Sequence, residues 1–357
     1  MKYNILALII FIFSIGNTYS QIGNMSIIKG SVSDAKRITA AYMIPLNNGL
    51  AMINQTLPIY YKSEKDVMFY FGVQFSSVYV PYDYHSYDVT KIGLEEYIPS
   101  DPSITIAHTA FGEEKSILLK TKSKYLIGTP SGIQEVPIYE IETPKGIGSS
   151  VLPFAMVNIG GYFYGNYLTL KFIPKIKFSD SEMDIYSIGF DFRHDITKMI
   201  GVLEGSKWNF SVLWGYQYTK MNSFFDIKPD ENMIGLNIGS NNGPYDDQKL
   251  ENVITTLPLG FNVGYEFGAF NVYGGPSIAF STANVKLLGN YPVYFNVPLN
   301  KFSVVVLDEK NPFEYSQQIN QWRFDLGTSY QFKNLIVGFN ASIAEFTRAS
   351  LIVGMSL

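Results

Sequence analysis

Residues 207–219 read Lys-Trp-Asn-Phe-Ser-Val-Leu-Trp-Gly-Tyr-Gln-Tyr-Thr, and this stretch decides the fold. Trp208, Phe210, Val212, Trp214, Tyr216 and Tyr218 alternate with small or polar residues, and only Leu213 breaks the polar series. A period of two that separates large apolar groups from polar ones is a strand whose two faces meet different surroundings. In a soluble sandwich the polar face meets water; in a membrane barrel the apolar face meets lipid and the polar face lines an interior. The same rhythm returns at Tyr186, Ile188, Phe190 and Phe192, at Leu257 through Phe267, and at Trp322, Phe324, Leu326, Tyr330 and Phe332. Four such segments make chance alternation a poor explanation.

Composition points the same way. Of 357 residues, 16% are charged and 15% aromatic, with 26 Tyr and 26 Phe, against about 25% charged in ordinary soluble domains. A mean hydropathy of +0.06, with no apolar run beyond the N-terminus near the roughly 20 residues of a spanning helix, excludes a helical membrane bundle. The net charge of −4 carries no basic cluster, which sets nucleic acid aside as a partner. With no cysteine, disulfides, thiol chemistry and cysteine zinc sites are excluded.

Residues 1–20 have the order of a secretory leader: Lys2, an apolar run from Ile5 to Ile15, and Thr18-Tyr19-Ser20 before Gln21. A short membrane anchor is the competing reading. Residues 21–66 are read as an N-terminal helix and plug, with the helix over 34–43, Asp34 capping it and Pro45 ending it ahead of an Asn47-Asn48-Gly49 turn. This segment either packs inside or beneath a barrel or stays free in the periplasm. Residues 67–357 form the barrel itself, an all-β, antiparallel transmembrane meander.

Ten spanning strands are expected, at 67–80, 154–163, 166–178, 183–194, 206–219, 255–267, 269–281, 318–331, 334–344 and 348–357, with eight to fourteen admissible. Most exceed the five or six residues of a soluble strand and reach the 9 to 11 a tilted membrane strand requires. Long connections at 81–153, 220–254 and 282–317 all fall on one side, as an outer-membrane meander demands. Within the first, 103–108, 116–121 and 136–141 are either short extramembrane strands or two further spanning ones, and its prolines favour the former.

If the large residues face lipid, then Lys171, Asp191, Arg193, Glu266, Arg323 and Asp325 face the lumen and form the candidate binding cluster. Such groups either pair and fill the interior or line a pore or a ligand headgroup site. His85, His108 and His194 show no metal spacing and no catalytic arrangement, so neither enzyme activity nor a cofactor is expected. Asp180, Glu182 and Asp184 lack the glycine and glutamate of a calcium loop and read as a solvated turn. Tyr82, Tyr84 and Tyr87 suit an interfacial aromatic girdle.

Tyr42, Pro45, Leu46, Asn48, Gly49 and Leu50, the pairs Thr129-Pro130 and Leu152-Pro153, Leu168 through Pro174, and Tyr186 through Ile196 resemble a family of bacterial outer-membrane β-barrel proteins of unknown function, common in Bacteroidota. The resemblance implies a barrel in the bacterial cell outer membrane and no activity. The Pro45–Leu50 turn gives a more distant similarity to long-chain fatty-acid transport barrels, which have an N-terminal hatch. The functions to be distinguished are porin-like passage or binding of a small hydrophobic molecule, and a structural or surface-interaction barrel with a closed lumen. An envelope hydrolase is a third. The expected partners are outer-membrane lipid and a small hydrophobic ligand, with the chain a monomer.

Overall fold

The computed structural model describes residues 25–53, 67–178, 183–199, 206–230, 236–238, 242–297 and 300–357. The leader expected at 1–20 lies outside them, as do residues 21–24 and 54–66 of the expected plug segment.

Ten strands close into one antiparallel barrel: β1 (Val67–Tyr79), β2 (Val151–Phe163), β3 (Asn166–Phe178), β4 (Met183–Asp195), β5 (Trp208–Phe224), β6 (Lys249–Phe267), β7 (Phe270–Leu288), β8 (Phe313–Phe332), β9 (Leu335–Ile343) and β10 (Thr347–Ser356). Each pairs with its neighbours in sequence, and β1 closes the ring against β10 through Tyr70↔Ser356 to Tyr79↔Thr347. Closure gives every strand a partner on both sides, which is the condition for a sheet to lie in hydrocarbon.

The outer face carries a band of constant height. Trp208 to Tyr218 on β5, Leu257 to Phe267 on β6, Phe270 to Phe280 on β7 and Trp322 to Phe332 on β8 each present large apolar side chains outward over 11 residues, the length a tilted strand needs to cross a bilayer. Above it the outward positions turn polar: Lys220 meets Glu251 at 2.5 Å, Lys286 meets Glu314 at 3.0 Å, and Ser316 donates to Asn284 at 2.5 Å. The four strands therefore run past the band. The sequence reading stops them near Thr219, Thr255, Ser281 and Gln318 because the apolar alternation ends there while the pairing does not.

Beyond the strands, the long connections fold. Ser86–Asp88 pairs with Ile106–His108, Tyr97–Pro99, Leu118–Thr121 and Glu140–Glu142 make a three-stranded sheet, and Lys124–Thr129 pairs with Gly132–Pro137. A second three-stranded sheet joins Leu236–Asn237, Asn290–Val297 and Asn300–Lys310. The two loop systems share a core of Tyr125, Ile138, Tyr294, Val304 and Val306. The segments of the first connection are thus extramembrane.

The N-terminal helix differs from expectation. α1 spans Val32–Ile53 and contains Pro45 rather than ending at it. Ser31, not Asp34, caps it: Ser31 Oγ accepts the Asp34 N–H at 3.2 Å and its carbonyl the Ala35 N–H at 3.0 Å. Pro45 costs the helix one internal bond, and packing on nearly every side compensates. Ile38, Tyr42, Met43, Leu46, Leu50, Ala51 and Met52 are buried in one core with the loops and the barrel mouth. A helix covered on most of its sides belongs in an interior, and only Ser33, Lys36 and Ile44 among its described side chains are exposed. Asn47-Asn48-Gly49 is helical, not a turn; Gly49 lies so close to Leu152 that a Cβ would stand 2.9 Å from its Cδ2.

Candidate functional site

The barrel interior is built in three layers. At the long-loop end, α1 fills the mouth. Asn47, fully buried, donates to Gln317 on β8 at 2.8 Å and accepts from Asn252 on β6 at 2.8 Å; the Asn48 carbonyl accepts from Gln321 and the Met52 carbonyl from Arg348 of β10 at 3.3 Å. Around these bonds Met156, Ile173, Met221, Leu250, Ile254 and Val285 present apolar inward faces to the helix. The outer part of the lumen is a protein core.

Anchoring the helix from outside is Asp34. Its carboxylate is fully buried and accepts three loop N–H groups, from Glu95 at 2.8 Å and from Glu96 and Tyr97 at 2.7 Å. Tyr42 donates its hydroxyl to the Lys145 carbonyl at 2.9 Å, and its own carbonyl accepts the Ala110 N–H at 3.1 Å.

Below the helix lies a charged layer. Lys171 on β3 and Asp191 on β4, both inward, form a direct ion pair. The Arg193 guanidinium stacks 3.6 Å from the centre of the Tyr167 ring directly across the ladder. Arg323 on β8 donates from Nε to Ser277 Oγ at 2.9 Å and approaches Asp325 at 3.9 Å, while the Ser277 hydroxyl donates to Asp325. Arg348 donates from Nη2 to Ser342 at 2.8 Å. Between them run neutral links, including Ser76 to Ser350 at 2.8 Å and Gln217 to Ser187 at 2.9 Å. At the short-turn end, Met68, Tyr70, Tyr167, Ile336 and Ile352 close a small apolar cluster.

Five of the six expected residues, Lys171, Asp191, Arg193, Arg323 and Asp325, are buried in the charged layer. Glu266 is not among them. It is half-buried beside the Gly268 turn, where its N–H donates to the Lys207 carbonyl at 2.9 Å. The sequence reading missed Arg348 and Tyr273, although both fall on the inward parity of their strands; Arg348 opens its strand and looks like a boundary residue, and Tyr273 carries no charge. Leu213, the break in the polar series, packs against Tyr273 inside the barrel.

Other expectations need correcting. Asp184 is buried, 3.1 Å from Lys175 and accepting from Asn222 at 2.7 Å, so it belongs to the wall and not to a solvated turn. Asp180 and Glu182 lie outside the described residues. Of the tyrosines assigned to a girdle, Tyr84 donates to Glu345 at 2.6 Å and packs on Phe346, and Tyr87 packs on the core shared by α1, the loops and the barrel mouth, while Tyr82 is exposed. The histidines bond locally: His85 to the Val80 carbonyl, His108 to the Glu113 N–H, His194 to Asn166.

An apolar belt outside, a polar and charged interior and a closed antiparallel meander define a membrane-spanning β-barrel, here with an internal helix. The family is given by the sequence: the model of the Family of unknown function (DUF6588) matches residues 1–357, and the chain belongs to that family. No curated protein matches it. Among solved structures, the outer membrane transporter YddB from Escherichia coli shares 10% identity at a TM-score of 0.29, over 78% of this chain and 41% of that one. The chain thus spans less than half the length of that transporter. OpdQ from Pseudomonas aeruginosa shares 12% identity at a TM-score of 0.14, covering 82% and 97% of the two chains. OmpF from Salmonella typhi, solved in complex with daunomycin, shares 9% at 0.16, covering 82% and 97%. The fold assignment rests on the strand pairing, not on these likenesses.

Proposed function

We propose that this protein is a monomeric barrel of the bacterial outer membrane whose lumen is sealed by its own N-terminal helix, and that it works through the folded cap it displays on the long-loop side. The observation that carries this reading is the burial of α1: its C-terminal half hydrogen-bonds to inward side chains of β6, β8 and β10 within a continuous apolar core. The 11-residue belt supports the membrane location, since a soluble monomer rarely exposes an apolar patch beyond a few hundred Å². The cap supports a surface role because its loops are not loose strings. The hairpin at Lys124–Thr129 and Gly132–Pro137 and the one built from Asn290–Val297 and Asn300–Lys310 are locked through Tyr125 and Tyr294, and Asn296 donates to the Lys124 carbonyl at 2.8 Å.

Passage or binding of a small hydrophobic molecule is the second reading, favoured by the apolar lining of the outer lumen. It requires α1 to withdraw and an apolar solute to cross the charged layer beneath. Planar-bilayer recording separates the two. The sealed barrel gives no steady conductance from the wild-type chain, and protease on intact cells cuts an inserted site near 246 but not one near 206. Steady open-channel current from the wild-type protein, or uptake of an apolar probe that depends on it, would refute the sealed reading.

A further inference from the structure

The charged layer holds more cation than anion. Among the described residues buried there, Lys171, Arg193, Arg323 and Arg348 meet Asp191 and Asp325. They form one layer rather than isolated pairs: Lys171 is within electrostatic reach of Arg323 and Arg348, Arg348 of Asp325 and Tyr273, and Tyr273 of Arg193. Lys171 is engaged by Asp191 and Arg193 by the Tyr167 ring. Two further donors belong to the other two arginines. Arg323 Nη1 has no hydrogen-bond acceptor, and neither does Arg348 Nε, although the residues are 7% and 1% exposed.

A buried guanidinium is the least forgiving place for an unmet donor. A lysine can shed its proton when desolvated, but arginine stays charged, and each unmet N–H loses water without replacement. The excess charge and the two donors therefore ask for the same thing.

We propose that the barrel binds a small anion, of halide size, between Arg323 and Arg348, directly beneath the end of α1. The neighbouring groups define what fits. Ser277 and Ser342 already hold one face of each guanidinium, Asp191 is occupied by Lys171, and Asp325, whose Oδ1 has no hydrogen-bond partner, repels a bulky or highly charged occupant. Arg348 also holds the Met52 carbonyl, so an anion there sits against the residue that ties the helix to the wall. The site is independent of the role assigned to the cap.

The test uses the full chain refolded in detergent, exchanged into sodium gluconate and titrated with sodium bromide at constant ionic strength. The expected result is a saturable rise in melting temperature, with half-saturation weakened about tenfold in Arg348→Gln, the loss of one charge-assisted contact. Crystals of the wild-type protein grown in bromide give a second reading that does not depend on the variant folding: an anomalous peak between the two guanidinium groups. Melting that is the same in gluconate and bromide, or bromide found only on the exterior, overturns the proposal and assigns the space to water.

Discussion

Replacing Asp34 by alanine tests the joint between helix and cap. The side chain is fully buried, and its two carboxylate oxygens take the N–H groups of Glu95, Glu96 and Tyr97 at 2.7 to 2.8 Å. Bonds to a charged acceptor are worth about 1.5 to 3 kcal/mol each, but the three share one acceptor and are not additive. Water can reach the Glu95 and Glu96 amides more readily than that of Tyr97, so the expected loss is about 2 to 4 kcal/mol, held within the cap. The barrel wall keeps its own ladder of bonds and should not feel the change. Hydrogen exchange read by mass spectrometry is the assay. Amides at 95–97 and in the first turns of α1 should exchange roughly 30- to 1000-fold faster in Asp34→Ala, with strand peptides unchanged. Asp34→Asn, which keeps one acceptor oxygen, should fall between. Unchanged exchange at 95–97, or loosening of β6 and β8 as large as that of the cap, would refute the view that Asp34 pins the helix to the loop.

Other expectations follow from the same geometry. Lys171→Met strands Asp191 in a buried layer and should destabilise the refolded protein by about 3 to 5 kcal/mol in denaturant titration, with Lys171→Met/Asp191→Leu recovering much of the loss. Asp308 is held below the ordinary carboxylate range: burial pushes it up, but the Gly243 N–H, the Tyr245 hydroxyl and the Asn290 amide together outweigh that. Its contribution is therefore present at neutral pH and lost as acid carries the pH down through its depressed value, and protection factors at 242–245, taken relative to the intrinsic exchange rate at each pH, should fall there in the wild type but stay constant with pH in Asp308→Asn.

What the sequence made legible was whatever lipid dictates. β3 was bounded as expected, at Asn166 and Phe178, because both ends coincide with the ends of the alternation. β5 to β8 were cut short because their upper parts alternate between polar groups outside and mixed groups inside, a pattern shared with loops. The lumen charges were legible by parity alone, which found Lys171, Asp191, Arg193, Arg323 and Asp325 but placed Glu266 with them, since parity does not encode height along the strand. α1 was misjudged for a different reason. Pro45 and the Asn47-Asn48-Gly49 run are local signals to stop, and the bonds that override them come from Gln317, Asn252 and Ala110, far away in sequence.

The central claim, that the outer belt faces hydrocarbon, is tested most directly by the intrinsic fluorescence of the chain. Its three tryptophans, Trp208, Trp214 and Trp322, are all on the outer face, 47%, 46% and 74% exposed. In vesicles of lipids brominated along the acyl chains, the account predicts strong quenching of this emission and little effect of aqueous iodide. Emission quenched by iodide and indifferent to brominated lipid would contradict it.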